Sequence, residues 1–139
     1  MKNNMKDWLT TIFSDGSNRF VSDPNPKIGD SIEIRLRVIK KSPVQRIYLR
    51  RLVNGEETIV QMKEEPQRKY SIYSTTININ QPIINYHFIV LTEHRTYFYN
   101  QLGVFQYNIN EDYDFKIIAD FIKPTWINDS IFYQVFVDR

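Results

Sequence analysis

The chain has 139 residues, a formal charge of +2, no cysteine and 4 glycines, with 42% hydrophobic and 14% aromatic residues. That length and apolar content suffice for one domain with a core and exclude a disordered chain. Balanced charge gives no basic stripe for nucleic acid, the missing cysteines exclude a disulfide scaffold or thiolate metal site, and no run approaches the ~20 apolar residues of a membrane span.

The N-terminus, MKNNMKDWLTTIF, lacks the apolar stretch of a secretory signal, so a soluble, cytoplasmic protein is expected. Residues 7–13 are ambiguous. Met5, Trp8, Leu9 and Ile12 fall at helical spacing, yet Asp15-Gly16 just behind them is a hairpin signal. Pro24 and Pro26 break the chain and Gly29-Asp30 turn it. From 31 to 39 the alternation is strict: Ile32, Ile34, Leu36 and Val38 share one face, Glu33, Arg35 and Arg37 the other. This is the pattern of a half-buried antiparallel strand. A second strand is predicted over 44–53, with Ile47 and Leu49 opposite Tyr48; Asn54-Gly55 turns it into a returning arm over 58–62. Residues 64–67 read as a loop. Strands follow over 69–79, with Tyr70 and Ile72 on one face, and over 84–91, with Tyr86, Phe88 and Val90 together. Residues 96–100 form the far arm of a hairpin, and 115–118 a last strand. Seven or eight short strands bounded by turn residues predict an all-β fold, an antiparallel β-sandwich of immunoglobulin type without its cysteine pair.

The chemistry-bearing residues are few. Glu111-Asp112-Tyr113-Asp114 is oxygen-rich, as calcium requires, but lacks EF-hand spacing and reads better as a solvated loop. His87 and His94 have no second histidine at ligand spacing and no serine nucleophile, so packed or surface roles are expected. Lys40-Lys41 and Arg50-Arg51 read as solvated charge pairs. The aromatic stretch Tyr97-Phe98-Tyr99-Asn100, followed by Phe105 and Tyr107, carries more information. Sugars present flat C–H faces ringed by hydroxyls, which exposed rings and amides bind. In a strand Tyr97 and Tyr99 share one face and Phe98 takes the other. With Phe98 in the core, the tyrosines form a carbohydrate platform with Asn100 and Gln101 beside it; Tyr73 and Tyr70 are weaker candidates. The alternative, the commoner role for tyrosine at half-buried sheet positions, is that Tyr97 and Tyr99 only cover the sandwich edge or a following domain.

Residues 120–125 read as a linker, and 126–139, WINDSIFYQVFVDR, as the start of a second unit. The run from Ile131 to Val137 is apolar without alternation, as in a strand buried on both faces. Pro124-Thr125-Trp126-Ile127-Asn128-Asp129, with Ile131-Phe132-Tyr133-Gln134-Val135-Phe136-Val137-Asp138-Arg139, resembles the entry into the catalytic barrel of the alpha-amylase family (glycoside hydrolase family 13). The similarity is to the cyclomaltodextrinase, neopullulanase and maltodextrin glucosidase branch, whose first barrel strand typically reads P-x-W-x-x-D-x-x-F-Y-Q-I-F-P-D-R-F. Val135 stands here for Ile and Val137 for Pro.

The resemblance implies an immunoglobulin-like sandwich (carbohydrate-binding module family 34 type) over residues 1–119, a linker over 120–125, and the first strand of a truncated (β/α)8 barrel over 126–139. It favours an edge strand or short hairpin over 7–22. It also implies a parent enzyme that hydrolyses α-glucan, with maltooligosaccharide, its own barrel and a second subunit as partners. A retaining glycosidase needs two carboxylates about 5–5.5 Å apart. The motifs that carry them in the family, G-x-R-x-D and D-x-x-x-N-H, do not occur here, so the 139-residue chain alone is expected to be inactive. No cofactor is expected, and any calcium site would belong to the barrel beyond Asp138. The stretch 51–57 carries no aromatic residue, where several relatives place one that reaches a partner's substrate. Two functions therefore stand: a glucan-binding accessory domain, or a purely structural and dimerising one. An unrelated sandwich is the third reading.

Overall fold

A computed structural model describes residues 8–53, 55–108 and 110–119. The proposed linker and barrel strand therefore lie outside the described residues, as does Asn54. The described chain is all-β and antiparallel throughout: β1 (Ser31–Ile39), β2 (Val44–Val53), β3 (Glu56–Gln61), β4 (Lys63–Pro66), β5 (Tyr70–Asn78), β6 (Ile83–Thr92), β7 (Thr96–Asn100), β8 (Gly103–Phe105) and β9 (Phe115–Ile118). They form a three-stranded sheet in the order β1-β5-β4 and a six-stranded sheet in the order β3-β2-β6-β7-β8, with β9 also on β6.

The alternation in β1 becomes burial: Ile34, Leu36 and Val38 are fully enclosed while Arg35 and Arg37 stay half-buried. Facing them from the second sheet are Ile47 and Leu49 of β2 and Ile84, Tyr86, Phe88 and Val90 of β6. Burying each such side chain contributes about 1.5–3 kcal/mol, which makes this layer the main source of stability. The rings of Tyr86, Phe88, Tyr99 and Phe115 meet at centroid distances of 5.4–6.0 Å in tilted, edge-on and stacked pairs.

Two local expectations need correction. Residues 8–13 supply no edge strand: Trp8–Thr11 is a 3-10 turn, its last hydroxyl donating to the Trp8 carbonyl at 2.6 Å. Beyond it the chain follows the edge of β1 away from β5 through isolated bridges, Phe13 with Arg37 and Val21 with Ile34, and through side-chain bonds such as Ser14 Oγ to the Arg35 carbonyl at 2.6 Å. Residues 64–67 are not all loop either. Lys63–Pro66 pairs with β5, Glu64 opposite Tyr73 and Pro66 opposite Ser71. KEEP has no alternation to read because all four residues are exposed. Charged residues and a terminal proline suit the outermost strand of a sheet, where one row of backbone groups faces water.

The edge of β6 away from β2 is shared: β9 pairs with residues 83–86 and β7 with 88–91. The gap between them falls at His87. No helix among the described residues is long and apolar enough to cross a membrane.

Candidate binding surface

The register of β7 decides where the aromatic stretch points. Tyr99 lies opposite Phe88 and Tyr97 opposite Val90, so both tyrosines share the inward face of β6. This reverses the expected directions. Tyr97 is 9% and Tyr99 8% exposed, whereas Phe98 is half-buried on the outer face. The sequence could not separate the two faces, because TYFYN is aromatic on both and a one-residue change of register exchanges them.

Each tyrosine has a structural attachment. Tyr99 accepts a hydrogen bond from the Ser14 backbone N–H at 3.2 Å and donates to the Ser14 carbonyl at 3.3 Å. Burial pushes its pKa up. The Tyr97 ring meets Trp8 edge-on, with centroids 5.7 Å apart. Tyr73 lies on β5 opposite Leu36 and is 5% exposed. Burial, with the Glu64 carboxylate beside it, pushes its phenol up to about 12. Asn100 is buried too, its Oδ1 accepting from the Leu102 N–H at 2.8 Å, which with Gly103 at φ 131° closes the β7–β8 turn. These four residues thus do not converge on one exposed platform.

The outer face of the same sheet carries a second aromatic group. Phe98 and Phe105 are register partners and so stand on one face of β7 and β8. Tyr107 follows, 64% exposed, its ring 6.0 Å from Phe105 at an angle of 43°. Next to it Arg95 Nη1 donates to Gln106 Oε1 at 3.0 Å. On the inner side of the same strand end, a cleft of about 440 Å³ is lined by Trp8, Pro43, Tyr97 and residues 92–95. The paired spacing of Phe105 and Tyr107 with an intervening glutamine was the available sequence signal for the outer group; the inverted assignment of Phe98 concealed it.

A buried charge cluster also escaped the sequence reading. Asp114 has no exposure and lies at the gap in the β6 edge, its Oδ1 2.9 Å from His87 Nδ1 and its Oδ2 3.8 Å from Arg50 Nη1. Arg50, 7% exposed, further binds Glu57 at 2.6 Å and Glu111 at 3.2 Å. Burial alone would lower the Arg50 pKa, but the bonds and charges of Glu57 and Glu111 outweigh it and the net direction is upward. Arg50 is therefore no solvated charge, and residues 111–114 are no simple solvated loop. They form a 3-10 turn, Glu111–Tyr113, and an anchor that ties this segment across β2, β3 and β6. His87 is a packed histidine, edge-on to Phe98 at 6.1 Å; His94 is exposed. No group of three or more His, Cys, Asp or Glu among the described residues could hold a metal ion.

No family model matches the sequence. The fold is similar to part of a cyclomaltodextrinase, with TM-score 0.69 and 16% identity, over 91% of this chain and 23% of that one. It is also similar to part of a maltogenic amylase from S. marinus (TM-score 0.57, 20% identity, 77% and 15% of the two chains). A cycloalternan-degrading enzyme from Trueperella pyogenes, solved with a covalent intermediate, gives TM-score 0.54 and 14% identity over 79% and 18%. The chain thus spans less than a quarter of the length of each of these proteins, and at such identities the likeness is one of fold.

Proposed function

We propose that this chain is an immunoglobulin-like accessory domain of an α-glucan hydrolase, which seats the catalytic barrel and binds α-glucan. The observation that carries the reading is the shared fold: 91% of the chain superposes on a portion of a cyclomaltodextrinase. The barrel-entry pattern in residues 124–139 agrees with it from an independent part of the sequence. Catalysis belongs in this reading to the barrel, since the family's carboxylate motifs are absent here.

The two ends of the second sheet suit the two tasks. Ile118, at the end of β9, pairs with Ile83, at the start of β6, and both are exposed, at 62% and 50%. An exposed apolar pair where residue 119 leads on to the proposed linker is a natural seat for a following domain. The β6–β7 hairpin lies at the other end of the ten-residue β6, about 30 Å away. Phe98, opposite Ile89, stands about 20 Å along β6 from that seat.

Electrophoresis of the chain through native gels containing soluble starch tests the reading. Retardation relative to an unrelated β-sandwich, relieved by added maltoheptaose, is the expected outcome. Unretarded migration would remove the sugar-binding half and leave the structural alternative, for which the Ile83–Ile118 pair is the specific support. Sedimentation of Ile118→Asp then discriminates further: if this pair joins two copies, the wild type is dimeric and the variant monomeric.

A further inference from the structure

We propose that the α-glucan contact is the outer aromatic row Phe98, Phe105 and Tyr107, with Arg95 and Gln106 as its hydrogen-bonding flank, and that the inward tyrosines contribute none of it. This rests on the glucan-binding reading above and assigns it a place. Exposure is the first argument. A pyranose stacks on a ring face, and Trp8 and Tyr97 at 6% and 9% exposure offer the neighbouring cleft little more than ring edges. Tyr107 at 64% offers a face, and Phe98 and Phe105 beside it are half open.

Geometry is the second argument. Phe98 and Phe105 are register partners on adjacent strands whose backbones lie about 4.8 Å apart, so their side chains leave the same face. Tyr107 continues from Phe105 with its plane turned by 43°. Rings inclined to one another suit a chain that curves from one sugar to the next. The α-1,4 linkage makes glucan curve, whereas β-1,4 glucan is a flat ribbon that asks for coplanar rings. The polar partners are the third argument. Arg95 and Gln106 are both exposed and bonded to each other at 3.0 Å, which fixes their position while an arginine's five N–H donors and the glutamine amide leave capacity for sugar hydroxyls. Among the described residues β8 is also the last strand of its sheet, so its outer backbone groups border the row.

The test is a titration of the 139-residue chain with maltoheptaose, followed by its amide and aromatic NMR signals, on wild type and on Tyr107→Ser. Because Tyr107 is mostly exposed, the variant keeps the wild-type spectrum elsewhere. Saturable shifts centred on Phe98, Phe105, Gln106 and Tyr107, weakened about tenfold or more in Tyr107→Ser, are expected from the loss of a stacking anchor. Tyr97→Phe leaves the affinity unchanged. Shifts centred on Trp8, His94 and Tyr97, insensitive to Tyr107→Ser, would overturn the placement while keeping glucan binding. Absence of shifts at millimolar sugar would overturn the placement and the binding reading together. Equal shifts with cellohexaose would overturn the assignment of the inclined rings to an α-linked chain.

Discussion

Replacing Asp114 by alanine should cost the domain about 3 kcal/mol, although Asp114 is not a member of the hydrophobic core cluster. The carboxylate is wholly buried, 2.9 Å from His87 Nδ1 and 3.8 Å from Arg50 Nη1. Removing one member of a buried ion pair typically costs 3–5 kcal/mol, because the partner is left buried without compensation. Here Arg50 retains Glu57 at 2.6 Å and Glu111 at 3.2 Å, both about half exposed, which sets the loss at the low end. For a domain of this length about 3 kcal/mol corresponds to a fall of roughly 10 °C in thermal midpoint. Urea unfolding followed by circular dichroism measures it, with an unchanged slope showing that only stability has moved. Glu33→Ala is the control. Glu33 binds Arg35 at 2.7 Å, but both side chains are about one-third exposed, so its loss should stay within about 0.5 kcal/mol. If Asp114→Ala costs no more than Glu33→Ala, the cluster does not tie residues 111–114 to the sheet and the account of it is wrong.

Tyr99→Phe should cost about 1–2 kcal/mol in the same assay, because it leaves the buried N–H and carbonyl of Ser14 without the hydroxyl; a neutral change would show that water replaces it. The Tyr73 phenol gives a pH dependence of definite sign. Its neutral form is favoured in the fold, so its contribution is complete below the ordinary tyrosine pKa of 10.0 and is lost as pH rises to about 12. Wild type should therefore lose stability relative to Tyr73→Phe between pH 10 and 12, and parallel curves would refute the burial argument. Gly103→Ala should destabilise by about 1 kcal/mol, since φ 131° strains any L side chain although a Cβ there meets open space. A thermal midpoint equal to wild type would show that the β7–β8 turn tolerates another conformation.

How far the sequence reached is clearest strand by strand. The segments 31–39, 44–53, 96–100 and 115–118 carry their own signal, because alternation or β-branched and aromatic runs are imposed by a sheet with one face inside. The short edge strand KEEP carried none, since an edge exposed on both faces places no demand on side-chain type. It exists because β5 offers it a ladder. Trp8–Thr11 is the mixed case: the helical spacing of Trp8 and Ile12 was legible, but only packing, with Trp8 edge-on to Tyr97, decides for a turn against the hairpin signal of Asp15-Gly16.

The candidate site divides along the same line. By itself the sequence determined that residues 97–107 hold an aromatic cluster with polar neighbours, and that Tyr97 and Tyr99 must share a face opposite Phe98. Only the tertiary structure decided which face is the outside, because the pairing of Tyr99 with Phe88 fixes the direction and nothing in TYFYN does. The cluster of Arg50, His87 and Asp114 is the stronger case: its members are separated by 27 to 64 positions and meet at the gap between β7 and β9. Each alone reads as a surface charge or an ordinary histidine. Burial and proximity, which are properties of the folded chain, make them one structural unit.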